Sequence, residues 1–260
     1  MKVSASITDF PVFSQLDTFF KEFKNAGVDG VELVLGVKSR FAIKQLQKLV
    51  KKYDLPITSV HQPAWSGVGL YFDERFVEAA KHLGTNKIVC HPLTFLAFDD
   101  KKMQQYFKRL SLLQEQYGIH IMLENMPNDF VYKKLHPFAK EIMRKHLQKM
   151  EDIVDTYGFL MTYDVSHAEF KKPQEEKIFQ SLLPKIGNIH LSSFHKHQHH
   201  LPLTMGDLDS KGFLSYLKKK KYSGLVTFEV YYPKVLMVTN TYEFSAIADS
   251  VKVFRKIAGK

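Results

Sequence analysis

Hydrophobic and polar positions along this chain alternate between two periods, and the alternation recurs from end to end. Val3 to Ile7 reads as a strand, after which Leu16, Phe19, Phe20 and Phe23 recur at helical spacing until Gly27 stops the helix. Gly30 to Leu35 is a second apolar run, followed by Ile43, Leu46, Leu49 and Val50 as the stripe of a second helix. Pro56 to His61, Asn86 to His91, Ile119 to Glu124, Phe159 to Asp164, Asn188 to Ser192 and Leu225 to Val230 continue the series of strands. Helical patterns lie between them: about Glu74 to Leu83 before Gly84, a charged amphipathic stretch ending near Gly118, and another ending at Gly158. Further helices fall around Ile178 to Leu183, Phe213 to Leu217 and about Tyr242 to Ile257.

Short, continuous apolar strands that alternate with amphipathic helices predict a parallel sheet with helices outside it. Eight such units in 260 residues match the size of a (β/α)8 TIM barrel, typically about 250 residues. No Gly-rich turn follows the first strand, which disfavours an open dinucleotide-binding sheet. No Pro/Ser-rich linker divides the chain, so residues 1–260 are expected to form one α/β domain. The longer insertion from Pro127 to Pro137 is the expected lid or substrate loop.

Six strand-like runs end in metal-ligating residues. They are Ser59-Val60-His61, Ile88-Val89-Cys90-His91, Ile121-Met122-Leu123-Glu124, Met161-Thr162-Tyr163-Asp164 with His167 beyond, Asn188-Ile189-His190 and Val226-Thr227-Phe228-Glu229. Parallel strands of a barrel bring such ends together on one face, where active sites of this architecture lie. Glu124, Asp164, His190 and Glu229, from four consecutive strands, form the most coherent ligand set and leave positions open for substrate. Imidazole with carboxylate suits Zn²⁺, Mn²⁺ or Co²⁺ better than Ca²⁺.

Composition narrows the setting. The chain is 45% hydrophobic, enough for a sizeable core, and its one cysteine, Cys90, excludes an internal disulfide framework and reads as a core residue. A formal charge of +10 favours acidic partners without choosing among a phosphorylated metabolite, a nucleic acid and other polyanions. Lys218-Lys219-Lys220-Lys221 reads as a helix C-terminus whose cations complement the dipole. Neither a signal peptide nor a transmembrane segment is legible, so the expected location is the cytoplasm.

The ordered motifs Ala26-Gly27-Val28-Asp29-Gly30-Val31-Glu32-Leu33, Val60-His61-Gln62-Pro63, Cys90-His91-Pro92, Leu123-Glu124-Asn125, Asp164-Val165-Ser166-His167, His190-Leu191 and Pro202-Leu203-Thr204-Met205-Gly206-Asp207-Leu208-Asp209 span nearly the whole chain. In this order they resemble the xylose isomerase-like TIM-barrel superfamily, which holds sugar and sugar-phosphate isomerases and epimerases together with endonuclease IV-type AP endonucleases. On the isomerase side the resemblance implies one divalent ion on Glu124, Asp164, His190 and Glu229. Glu124 and Glu229 would then face opposite sides of a small carbohydrate substrate and move its proton. His61, His91 and His167 would orient substrate hydroxyls or phosphate, and Glu32 would bind a sugar hydroxyl or pair with a lysine.

On the nuclease side the resemblance implies three zinc ions and a DNA partner. His61, His91 and Glu124 would hold the first, Glu124, Asp164, His190 and Glu229 the second, and His167 with an Asp-x-His pair the third. His200 fits that pair, but Gln198 stands where its Asp would be, and His197 or His199 would have to compensate. The loop holding Trp65 looks more like a sugar-binding loop with an aromatic platform, unless Trp65 simply covers the barrel rim. The usual His-x-x-Asp of the isomerases is His190-Leu191-Ser192-Ser193 here. His195, His197 and His199 have an exposed polar loop as their plain alternative, and His61 and His91 could instead hydrogen-bond neighbouring loops.

Overall fold

Strands that are apolar on both faces can only be covered by a closed sheet with helices around it, and the computed structural model has that form. It describes residues 1–7, 16–35, 42–62, 74–92, 101–127, 138–196, 198–230 and 244–259. Trp65, His197 and residues 128–137 of the expected lid lie outside the described residues.

The order is β1 (Lys2–Ile7), α1 (Leu16–Ala26), β2 (Gly30–Val34), α2 (Ile43–Tyr53), β3 (Ile57–His61), α3 (Glu74–His82), β4 (Lys87–Cys90), α4 (Lys101–Tyr117) and β5 (His120–Glu124). Then follow α5 (Ala139–Tyr157), β6 (Leu160–Asp164), the single turn α6 (Val165–Ala168), α7 (Lys177–Leu182), β7 (Ile186–Leu191), β8 (Ser193–His195), β9 (Gln198–Leu201), α8 (Ser210–Lys219), β10 (Leu225–Phe228) and α9 (Phe244–Ala258). Eight of the strands close in the order β1-β10-β7-β6-β5-β4-β3-β2, and every neighbouring pair is parallel. This is the (β/α)8 barrel expected from the alternation.

The helix stripes face the barrel as their spacing requires. Leu16, Phe19, Phe20 and Phe23 of α1 are buried, as are Met143, Leu147, Met150 and Val154 of α5. Gly158 ends α5 in the left-handed region at φ 67°, with its N–H donating to the Val154 carbonyl. Cys90 is fully buried, and burial pushes its thiol pKa up, as suits a small core residue. Lys218 and Lys219 occupy the last turn of α8, where cations complement the helix dipole.

Two features depart from the sequence reading. The histidine-rich stretch after β7, for which an exposed polar loop was the plain alternative to a ligand role, forms the antiparallel hairpin β8–β9, with Ser193 opposite Leu201 and His195 opposite Gln198. Phe194 and Leu201 bury one side of this hairpin, which anchors it to the barrel. The turn α6 was also unforeseen; Asp164 caps it by accepting the His167 N–H.

A candidate metal centre at the C-terminal mouth of the barrel

Strand register decides which ligands meet. Asp164 of β6 lies beside His190 of β7, and His190 lies beside Thr227 of β10. Residues two apart on a strand share a face. Glu229 therefore follows Thr227 toward the same interior, and His61, Glu124 and Asp164 each close their own strands. All five of these side chains, with His91 just past β4, are buried.

His190 Nδ1 is the meeting point. It lies 3.0 Å from Glu124 Oε1, 2.7 Å from Glu229 Oε2 and 3.9 Å from Asp164 Oδ2. On the opposite edge of the ring, Nε2 lies 3.0 Å from Glu32 Oε1. Glu32 is fully buried behind the imidazole and also accepts hydrogen bonds from Ser59 Oγ and Asn188 Nδ2, at 2.7 and 3.0 Å. It faces His190 and two neutral side chains, in place of the sugar hydroxyl or lysine that its position at a strand end suggested.

The second oxygen of Glu124 gathers another pair of rings. His61 Nε2 and His91 Nε2 each lie 2.9 Å from Glu124 Oε2. His61 Nδ1 sits 2.6 Å from the Gln62 carbonyl, to which it donates. Its Nε2 then offers a lone pair to a carboxylate unless the ring carries a second proton or a cation intervenes. Burial opposes that proton, but Glu124, with Glu32 and Glu229, raises the His61 pKa to about 9.

Asp164 divides its carboxylate between two tasks. Oδ1 accepts from Ser166 Oγ at 2.8 Å and from the His167 N–H at 2.7 Å, which completes the cap of α6. Oδ2 makes no hydrogen bond among the described residues although it is fully buried. A buried carboxylate oxygen left without a donor is costly, and a cation is the partner this one fits. Burial, with the charges of Glu124 and Glu229, pushes Asp164 up to about 6 against the pull of His200 and His190. For Glu124 and Glu229 burial acts in the same upward direction, yet the surrounding histidines, His190 foremost, hold both well below the usual carboxylate range.

The hairpin delivers one further ring. His200, at φ +60°, places Nε2 at 3.1 Å from His167 Nε2. His167 Nδ1 donates to the Asn125 carbonyl at 2.9 Å, and His200 Nδ1 donates to the Glu229 carbonyl at 3.2 Å. Both remaining nitrogens therefore present lone pairs to one another. Burial lowers both pKa values, that of His167 to about 4, so protonation does not relieve the contact at neutral pH.

Among the described residues, two groups offer ligand atoms that all lie within 4.8 Å of one another: His61, Glu124, His190 and Glu229, and separately Asp164, His167 and His200. The quartet expected from the sequence is thus split by the geometry, with His61 in the tighter group and Asp164 bridging toward the second. Mixed imidazole and carboxylate donors fit Zn²⁺, Mn²⁺ or Co²⁺. His195 is exposed and contacts Asp207 at 3.3 Å, His199 lies 2.9 Å from Glu169, and Gln198 is exposed. Ser59, Asn125, Asn188 and Thr227 escaped the sequence reading. Three of them precede His61, His190 and Glu229 by two positions, a period-2 signal that was available.

Comparisons with known proteins agree with this architecture. The chain superposes on a 3-keto-D-glucoside 4-epimerase from E. coli with a TM-score of 0.70 and 18% identity, over 98% of this chain and 99% of the other. A D-allulose 3-epimerase from Methylomonas sp., solved in complex with D-allulose, gives 0.69 at 15% identity over 98% and 96%. A family 2 AP endonuclease from Brucella melitensis gives 0.67 at 14% identity over 95% and 97%. At these identities the likeness is one of fold. Among the described residues no helix is long and apolar enough to cross a membrane. The model of the xylose isomerase-like TIM barrel family matches residues 20–257, and the chain belongs to that family.

Proposed function

We propose that this protein is a divalent-metal-dependent isomerase or epimerase of a small sugar or sugar phosphate. One observation carries the reading: Glu124 and Glu229 bring carboxylate oxygens within 3.0 and 2.7 Å of the same nitrogen, His190 Nδ1, from strands separated by β6 and β7. Two carboxylates that reach one point from separate strands supply the pair of bases that a reaction needs to remove a proton from carbon and return one elsewhere.

In this reading Glu124 or Glu229 removes the proton beside a substrate carbonyl, leaving an enediolate, and the other carboxylate returns a proton to the opposite face or to the adjacent carbon. Glu124, His190 and Glu229, with Asp164 Oδ2 at 3.9 Å from the same His190 nitrogen, would hold a divalent ion, which would supply Lewis acidity toward the substrate oxygens. His61, His91 and His167 line the same mouth, where they orient hydroxyls. Burial of the whole set keeps water from competing for the proton.

A second reading, a zinc phosphodiesterase acting at abasic sites in DNA, is favoured by one specific feature. His61 and His91 converge on the far oxygen of Glu124, and His167 and His200 face each other through lone pairs, which provides places for further cations. Metal content separates the readings. Elemental analysis is expected to find one ion per chain, and ketoses or ketose phosphates incubated with the protein in D₂O are expected to gain deuterium at one carbon. Three zinc ions per chain with cleavage of an abasic duplex would instead establish the phosphodiesterase.

A further inference from the structure

The interior of the barrel beneath the mouth carries a chain of fully buried polar side chains. Thr227 Oγ1 donates to Asn188 Oδ1 at 2.9 Å, which turns the Asn188 amide nitrogen toward Glu32. Glu32 Oε2 therefore accepts twice, from Asn188 Nδ2 at 3.0 Å and from Ser59 Oγ at 2.7 Å. Its other oxygen, Oε1, is left facing His190 Nε2 at 3.0 Å, an ion-pair distance without the alignment of a hydrogen bond, and neither of these two atoms has a hydrogen-bond partner among the described residues. Glu32, Ser59, Asn188, His190 and Thr227 are all fully buried.

We propose that Glu32 is a positioning residue that fixes the tautomer of His190, keeping the proton on Nε2 so that the Nδ1 lone pair would be available to a divalent ion. This rests on the reading of His190 as a metal ligand. The reason is one of donor and acceptor count. A carboxylate oxygen can only accept, so the Nε2 edge that faces Glu32 must donate; Nδ1, which faces Glu124 and Glu229 at 3.0 and 2.7 Å, does likewise until a cation takes the place of its proton, and the ring that keeps Nε2–H then has its lone pair on Nδ1. The relay from Thr227 through Asn188, with Ser59 as a separate second donor, places both donors on Oε2 and leaves Oε1 as the acceptor that faces His190.

The variant Glu32→Gln tests this sharply. The two donors on Oε2 would draw the carboxamide oxygen to that side and leave the NH₂ group facing His190, which then has to accept at Nε2 and carry its proton on Nδ1, where it blocks the metal. Full-length protein labelled with ¹⁵N-histidine and titrated with Zn²⁺ is the sample. Two-bond ¹H–¹⁵N spectra are expected to show His190 protonated at Nε2 in the wild type and at Nδ1 in Glu32→Gln. Competition with a chromophoric chelator should show Zn²⁺ affinity falling about 10- to 100-fold in the variant. Glu32→Asp, which keeps an acceptor-only group, should retain the Nε2–H tautomer and decides the question if Glu32→Gln does not fold. An Nδ1–H tautomer in Glu32→Asp, or unchanged tautomer and affinity in Glu32→Gln, overturns the role of Glu32 and leaves the metal reading standing. Wild-type protein that takes up no Zn²⁺ overturns both.

Discussion

The side-chain amide of Asn125 holds the peptide of Asp164 at both ends: Asn125 Nδ2 donates to the Asp164 carbonyl at 2.9 Å, and the Asp164 N–H donates to Asn125 Oδ1 at 2.8 Å. A side chain here does the work of one more rung of strand pairing, just where β5 has ended and the Asp164 carboxylate of β6 must be aimed. Asn125→Ala leaves a buried N–H and a buried carbonyl unpaired, each costing about 1–3 kcal/mol. The urea midpoint should fall accordingly, and Zn²⁺ affinity should fall with it, because Asp164 is no longer held. Unchanged affinity in a folded variant would show that the clamp does not serve the ligand.

Asp164→Asn should separate metal binding from stability. Asn caps helices about as well as Asp, so its Oδ1 can keep the Ser166 and His167 hydrogen bonds. Its amide nitrogen, however, replaces the one oxygen that is free to meet a cation. Unfolding free energy should change by less than about 1 kcal/mol, as expected between two good N-caps, while bound metal is lost. Retention of full metal content would remove Asp164 from the ligand set.

Acid should weaken the fold through His146, which lies buried on the inner side of α5. Burial, with the nearby His167 adding, lowers its pKa from 6.5 to about 3. The unfolded chain therefore binds a proton below 6.5 that the folded chain refuses. The contribution is intact above 6.5 and declines as pH falls from there toward 3, at about 1.4 kcal/mol per pH unit. In urea titrations at pH 7 and pH 4.5, His146→Leu should lose less stability between the two than the wild type does. Equal losses would place the acid sensitivity elsewhere.

Gly206 sets the seat of the hairpin. Its φ is +82°, and a Cβ at this position would lie 2.5 Å from Ser193 Oγ and 2.6 Å from the Phe194 carbonyl. The same two atoms accept the N–H groups of Leu208 and Asp207, so neither can simply move aside. Gly206→Ala combines a left-handed backbone with a clash and should cost about 1–3 kcal/mol. The melting temperature should drop by about 2–4 °C per kcal/mol. A variant as stable as the wild type would mean that the hairpin tolerates a different seat.

Much of this protein could be read before its structure. The change of hydrophobic period between two and 3.6 is a local property, so the strands and helices were visible one by one, and the barrel followed from their number. A side chain at the end of a parallel strand must come out at the C-terminal mouth, which is why Glu124, Asp164, His190 and Glu229 could be named together as candidates, although it is His61 and not Asp164 that the geometry groups with the other three. The hairpin was harder, because four histidines among polar neighbours hide the burial of Phe194 and Leu201, which depends on the barrel they rest against.

Sequence by itself determined the eight βα units and the end of the barrel at which the ligands emerge, because periodicity and strand direction are properties of each segment. Tertiary structure alone decided which atoms meet. Glu32 and Asn188 are 156 residues apart in the chain, and only closure of the sheet and its register bring them together behind His190. The same closure placed His61 and His91 on the outer oxygen of Glu124 and turned His200 toward His167. A ring nitrogen becomes a donor or a ligand according to what faces it, and what faces it comes from another strand.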